Sequence, residues 1–317
     1  MLSRRKLFGS ALMGTGAWAS EPALETFVYK RTRNCEIKAD VIRPPGNERC
    51  PTILWIHGGA LIFGSRKSLW DSRREQALRL VRAGFALACI DYRLAPETKI
   101  GGILTDLGDA WKWLKEEGPK RFAADTSRLS VMGQSAGGYL TLMSGIVLRP
   151  RPRALVSFYG YGDIAGDWYA KPDPFYSQQP AVSKEEALAV VGTQEIAEPP
   201  PGKDRLRFYL YCRQQGLWPK LVTGYDPHKE RRDLRRFCPL DRIDASYPPT
   251  MLLHGDKDTD VPFQQSQLMT EALKKLRVPA AFVQMSGMGH SFDRDMKNPR
   301  VSAAFDGVID FLRRYST

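Results

Sequence analysis

Six short runs of almost unbroken apolar residues punctuate the chain: Thr52–His57, Phe85–Ile90, Leu129–Gly133, Ala154–Phe158, Thr250–His254 and Ala281–Met285. Runs this short that do not alternate with polar residues predict strands buried on both faces. Between them the apolar positions recur at helical spacing, near Ser72–Ala83, Ile103–Glu117, Ser135–Leu148, Phe263–Leu276 and Val301–Tyr315. Strand and helix in alternation predict an α/β fold, with a mostly parallel, doubly wound sheet flanked by helices. Ahead of these, Glu25–Lys30 and Glu36–Ile42 alternate loosely and predict antiparallel edge strands. Asp106 and Asp109, on the Ile103–Glu117 helix, are expected to cap or to face solvent. The chain shows no internal repeat and no low-complexity tract.

The pattern breaks between Tyr159 and Pro249. This stretch is rich in Pro, Trp, Tyr and charge, and is too long for a connecting loop. It predicts a lid inserted after the sixth strand, at about residues 163–247, with helical pieces at Ser183–Val191 and Asp204–Gly216. Glu198-Pro199-Pro200-Pro201 predicts a stiff elbow between those pieces. Its aromatic residues, among them Trp168, Tyr169, Tyr176, Tyr209 and Trp218, fit either a pocket wall or packing of the lid onto the body.

Chemistry enters at Gly133-Gln134-Ser135-Ala136-Gly137, where a β-prone run turns into a helical one. Flanking glycines allow a strained strand-to-helix corner that exposes the Ser135 hydroxyl, and the helix that starts there directs free N–H groups toward it. A serine needs a base and a group to orient that base. Of four histidines, His57 precedes the serine, His228 lies in a charged loop and His254 ends a strand. His290, in the glycine-rich loop after Ala281–Met285, is the expected base. The acid is expected in Gly255-Asp256-Lys257-Asp258-Thr259-Asp260-Val261-Pro262, where three aspartates compete. Asp256 fits a turn-stabilising role and Asp260 a helix cap, which leaves Asp258 a modest lead on spacing. The strand Thr52–His57 runs into His57-Gly58-Gly59-Ala60, where backbone N–H groups of Gly59 and Ala60, with that of Ala136, are the expected donors to an oxyanion. In this reading His57 shapes the loop and transfers no proton.

Five stretches in this order carry a resemblance: His57–Ala60, Asp91–Glu97, Gly133–Gly138, His254–Pro262 and Gly287–Phe292. The chain resembles α/β-hydrolases of the bacterial carboxylesterase type, similar to the hormone-sensitive-lipase-like and acetyl-xylan/feruloyl esterase-like families. The resemblance implies an α/β-hydrolase fold and a Ser135–Asp258–His290 triad, its pattern HGxxDxxVP selecting Asp258. It implies a serine hydrolase that cleaves carboxylic esters, small or glycan-linked, through an acyl-enzyme, with no cofactor and no metal. Ala60 departs from the third glycine of HGGG and adds a methyl group to the acyl pocket. An amide-cleaving relative (an aryl formamidase or a peptidase) and a non-catalytic binding protein of the same fold stay open as alternatives.

The chain has 317 residues and a formal net charge of +12, of which Arg4, Arg5 and Lys6 supply three charges. The richest basic stretch, Lys229–Arg236, is interrupted by acids, and no nucleic-acid motif accompanies it. Ser3-Arg4-Arg5-Lys6-Leu7-Phe8, a modest apolar stretch and Ala17-Trp18-Ala19 read as a twin-arginine export signal over residues 1–19. That expectation places a mature 20–317 domain in the periplasm or outside the cell. No span is long and apolar enough for an integral membrane helix. Five cysteines form no metal-spacing motif, and Cys89, inside a strand, is expected to be a buried thiol.

Overall fold

A computed structural model describes residues 22–316. The predicted export signal lies outside the described residues. An eight-stranded sheet runs through the molecule in the order β1-β2-β4-β3-β5-β6-β7-β8. Its strands are β1 (Leu24–Arg31), β2 (Glu36–Ile42), β3 (Cys50–Ile56), β4 (Ala86–Ile90), β5 (Ala124–Gln134), β6 (Leu155–Phe158), β7 (Thr250–Gly255) and β8 (Ala280–Met285). The pairs β1–β2 and β2–β4 are antiparallel and the other five are parallel, as the loose alternation of the first two strands and the solid apolar runs of the rest require.

The helices α1 (Ser68–Arg82), α2 (Ile100–Glu116), α3 (Gly118–Arg121) and α4 (Ala136–Val147) connect the first half of the sheet. Side chains alternate across β3, so Leu54 and Ile56 face α2 and α4 while Ile53 and Trp55 face the opposite layer. All four are fully buried. From β3 the chain moves outward to β4, then crosses back to place β5 on the other flank of β3. That reversal opens a crevice at the carboxyl ends of β3 and β5, the usual ligand position in open α/β sheets. The HGGA turn and Ser135 both lie there.

Between β6 and β7 come α5 (Asp167–Ala170), α6 (Lys184–Ala189), α7 (Leu206–Gln215), α8 (Trp218–Thr223) and α9 (Arg231–Leu234), followed after β7 by α10 (Gln264–Lys275) and α11 (Pro299–Tyr315). The sequence foretells α6 and α7 but not α5, α8 and α9. The aromatic residues here divide unevenly. Trp168 stacks on Tyr169 with ring centroids 3.7 Å apart, and Tyr169 stacks on Trp218 at 4.1 Å. Trp218 is fully buried and donates its indole N–H to the carbonyl of Ala60. Most of these rings therefore pack the segment onto the body, and Tyr209 alone among them lines the crevice. The proline elbow is fastened too, since Glu198 pairs with Arg66 and Lys67.

Two expectations are corrected. Asp106 neither caps nor faces solvent: it is fully buried, and binds Lys30 of β1 at 2.6 Å and the Arg93 guanidinium at 2.7 Å. A buried carboxylate survives only with such partners, and both come from outside its own helix. Asp260 caps no helix, because α10 begins at Gln264 with Phe263 at the cap position. Asp109, by contrast, is half-buried with its side chain reaching solvent, and pairs with Lys30. Among the described residues all five cysteines are free, Cys89 is buried, and no helix is long and apolar enough to cross a membrane.

Candidate active site

Ser135 sits at the corner between β5 and α4 with φ 56° and ψ −120°, a conformation costly for a residue with a side chain, by roughly 1–3 kcal/mol. Its surroundings hold it there. The Ser135 N–H donates to the carbonyl of Phe158 at 2.9 Å, and its own carbonyl accepts from Tyr139 of α4. The corner demands glycine at position 137, because a Cβ there would lie 2.0 Å from the carbonyl oxygen of Ile56. Without that side chain α4 packs directly against the end of β3. Ala136, buried, is the first residue of α4, so its N–H is one of the donors that a helix leaves unpaired at its start.

The HGGA turn lies across from this corner. Gly59 adopts φ 109°, and a Cβ on it would come within 2.0 Å of the carbonyl of Phe63, so the tight turn closed by Ile62 N–H and Phe63 N–H on Gly59 is open to glycine alone. Ala60 follows with φ 54°. Beneath them His57 is fully buried, stacked on Tyr92 with centroids 4.2 Å apart, and bonded through Nδ1 to the Gly58 carbonyl oxygen at 2.7 Å. Burial pushes its pKa down to about 4, so the ring is neutral at ordinary pH and donates Nδ1–H to that oxygen. It braces the turn through these contacts.

β7 and β8 are parallel neighbours with Gly255 opposite Met285, which brings the loops that follow them side by side. Asp258 and His290 meet there, with the carboxylate Oδ2 2.7 Å from Nδ1 of the imidazole. The other oxygen of Asp258 accepts from the N–H groups of Asp260 and Val261 at 2.8 and 2.9 Å. Burial would raise the Asp258 pKa, but hydrogen bonds from His254 and His290 outweigh it and hold the carboxyl well below the usual range. His290 is opposed by burial too, yet the charge of Asp260 and the bond from Asp258 raise its pKa. Asp256 faces the other way and accepts from Gly287 N–H and the Gln284 amide, a turn-holding role.

Ser135, His290, Gly59 and Ala60 line one cleft of about 320 Å³, with Asp258 directly behind the imidazole. Ala136 follows Ser135 directly, buried at the start of α4. His228 lies elsewhere, bonded to the Ala170 carbonyl. The structure adds residues that local sequence features do not reveal. His254 is the strand-end histidine expected, but its Nε2 lies 3.2 Å from Oδ2 of Asp258 and its Nδ1 2.7 Å from the hydroxyl of Ser266. Tyr159 places its ring 4.5 Å from that of His290, and its hydroxyl joins Asp293 and Arg73. Arg73 leaves helical geometry inside α1 to reach them. Asp260 approaches Nε2 of His290 at 3.4 Å. Only the Asp-x-Asp spacing hinted at a second carboxylate here.

Comparison with known proteins agrees with this architecture. A protein-family profile for the alpha/beta hydrolase fold matches residues 53–294, and the chain belongs to that family. A solved α/β-hydrolase superfamily protein from Enterococcus faecalis is 25% identical, with a TM-score of 0.70 over 88% of this chain and 96% of that one. Carboxyl esterase 2 from Tuber melanosporum is 22% identical, with a TM-score of 0.66 over 96% of this chain and 90% of that one, a likeness of fold. Among characterised relatives, the non-reducing polyketide synthase Preu3 of Preussia isomera is 30% identical over 341 residues, covering 91% of this chain. The chain spans only 13% of that synthase's length.

Proposed function

We propose that this protein is a serine hydrolase that cleaves carboxylic esters through an acyl-enzyme intermediate. The observation that carries the proposal is the meeting of a strained, cleft-facing Ser135 with an imidazole whose Nδ1 is held at 2.7 Å by Asp258, on the wall of the same cleft. In the proposed reaction the Oγ of Ser135 attacks the ester carbonyl while His290 Nε2 takes its proton. The imidazolium formed is stabilised by Asp258, which fixes the tautomer with Nδ1 protonated. The N–H groups of Gly59, Ala60 and Ala136 receive the negative charge that develops on the carbonyl oxygen. His290 then delivers its proton to the leaving alcohol, and water repeats the sequence to free the acid.

A cleft of about 320 Å³ is at the small end for ligand pockets, which favours compact substrates. The likeness to a segment of polyketide synthases adds polyketide acyl groups to the short acyl, acetyl-glycan, feruloyl and aryl esters as classes to test. Amide cleavage by the same residues is the alternative reaction. A purely binding role would leave the strained serine and the paired histidine without a use. The export signal read at residues 1–19 would place the enzyme in the periplasm or outside the cell.

The test is hydrolysis of p-nitrophenyl esters of increasing chain length by the protein and by Ser135→Ala. Loss of the nucleophile is expected to lower kcat by about a million-fold while the circular dichroism spectrum stays unchanged. Near wild-type turnover in Ser135→Ala would overturn the proposal.

A further inference from the structure

Asp260 stands on the opposite side of His290 from Asp258. Its Oδ2 lies 3.4 Å from Nε2, the nitrogen that the proposed mechanism uses to move protons, whereas Asp258 holds Nδ1. The imidazole is thus set between two carboxylates.

The orientation of Asp260 is imposed from the segment between β6 and β7. Its other oxygen, Oδ1, accepts from the hydroxyl of Tyr176 at 2.9 Å, from the hydroxyl of Tyr209 and from Nη1 of Arg213 at 3.0 Å. The same guanidinium nitrogen also binds the Asp260 carbonyl at 2.9 Å. Arg213 is in turn immobilised. Its side chain is only 1% exposed, its other nitrogen pairs with Asp173, and it sits over the rings of Tyr176 and Tyr169 at 4.8 and 4.9 Å. With three donors gathered on Oδ1, the remaining oxygen is left to face the histidine across the cleft wall.

We propose that Asp260 is a positioning residue for His290, through which the aromatic segment between β6 and β7 sets the resting pose and the charge of the imidazole. The proposal rests on the reading of His290 as the base. A carboxylate against Nε2 favours the imidazolium and holds its proton on the side of the cleft away from Asp258. Before each turnover that contact must be exchanged for one with Ser135. A substrate or a movement that shifts Tyr209 or Tyr176 would alter the grip on Oδ1 and so be felt at the histidine.

Asp258 and Asp293 also favour the charged ring, but of the three carboxylates only Asp260 is recorded against Nε2. Asp258, on the same loop, is committed to Nδ1 and to two backbone N–H groups. Tyr159, at the end of β6, turns its hydroxyl to Asp293 and Arg73, and burial together with the Asp293 charge keeps that hydroxyl protonated. Asp293 pairs with Arg73 at 2.6 Å, and its charge adds to the rise at His290 behind those of Asp260 and Asp258. Arg294, on the cleft wall, is exposed to solvent, and its charge would oppose protonation of His290. Arg213 also would oppose it, but its charge is spent on Asp260 and Asp173.

The experiment is an NMR titration of the His290 ring in the full-length protein without substrate, assigned by comparison with His290→Gln. Asp260→Asn is expected to lower the midpoint by about 1–3 units, the usual effect of an opposite charge at this range. Asp260→Glu is expected to restore part of the shift, and Asp260→Ser offers a second neutral variant should Asp260→Asn fail to fold. The acid limb of kcat/KM on a p-nitrophenyl ester should move down in parallel. An unchanged midpoint in a folded neutral variant would overturn the proposal and reduce Asp260 to an anchor for Arg213. Because the titration needs no substrate, a failure of ester hydrolysis would leave this result readable, and an unmoved midpoint beside normal hydrolysis would sink only the role of Asp260.

Discussion

Arg205 and Glu97 form a two-pronged ion pair across 108 residues of sequence, with both side chains only 1% exposed. Arg205 also donates to the carbonyls of Ile62 and Ala95 at 2.6 and 2.5 Å, so the start of α7 is fastened to the loops beside the cleft. Glu97 closes the Asp91–Glu97 stretch, whose Asp91 holds Arg66 and whose Arg93 holds Asp106. That stretch is a brace between layers, which explains its density of charge.

Breaking this pair from one side should be costly. Arg205→Ala leaves the Glu97 carboxylate buried without its partner, and is expected to reduce unfolding stability by about 3–5 kcal/mol. Urea denaturation of the two proteins checks it. A loss below about 1 kcal/mol would mean that the pair behaves as a solvated surface bridge.

Asp258→Asn is expected to lower kcat by about four orders of magnitude, because the amide favours the wrong imidazole tautomer. Asp256→Asn should do far less, since Asp256 accepts from Gln284 and Gly287 in a turn. Steady-state kinetics on one ester decides between them, and a crippled Asp256→Asn would transfer the orienting role.

In the proposed mechanism the pH dependence follows from the state that His290 must start in. A base acts only when neutral, and although burial opposes it, the Asp260 charge and the Asp258 hydrogen bond raise this imidazole's pKa. Raising the pKa extends the protonated, inactive form to higher pH. The acid limb of kcat/KM should therefore have its midpoint above the ordinary histidine value of about 6.5. A midpoint below that value would contradict the two-carboxylate environment.

Gly59→Ala should damage the reaction more than binding. The added Cβ would meet the Phe63 carbonyl at 2.0 Å in a backbone that alanine rarely adopts, so the turn must shift and its N–H groups with it. A loss of about 10²–10³ in kcat, with KM little altered, is the expected result of misplacing one oxyanion donor. Unimpaired kcat would show that this turn does not hold the oxyanion.

How much of this was legible beforehand depends on how far each feature reaches along the chain. The sequence alone determined the alternation of strand and helix, because strands buried on both faces must be apolar throughout. It also determined the corner at Ser135, where Gly133 and Gly137 flank the serine within a few residues. The HGGA turn was legible for the same local reason, whereas His290 was reached by setting aside the other three histidines. Which of three aspartates meets Nδ1 of that histidine was not settled locally: it depends on β7 and β8 lying side by side in a register that pairs Gly255 with Met285. The partners of Asp106 come from β1 and from the loop after β4, so its burial is invisible to helical periodicity. Asp260 shows the same limit, since Tyr209 and Tyr176 reach it across 51 and 84 residues. Local spacing records the period and the turn, whereas the pairing of buried charges is decided only when distant segments pack and each must find its partner out of water.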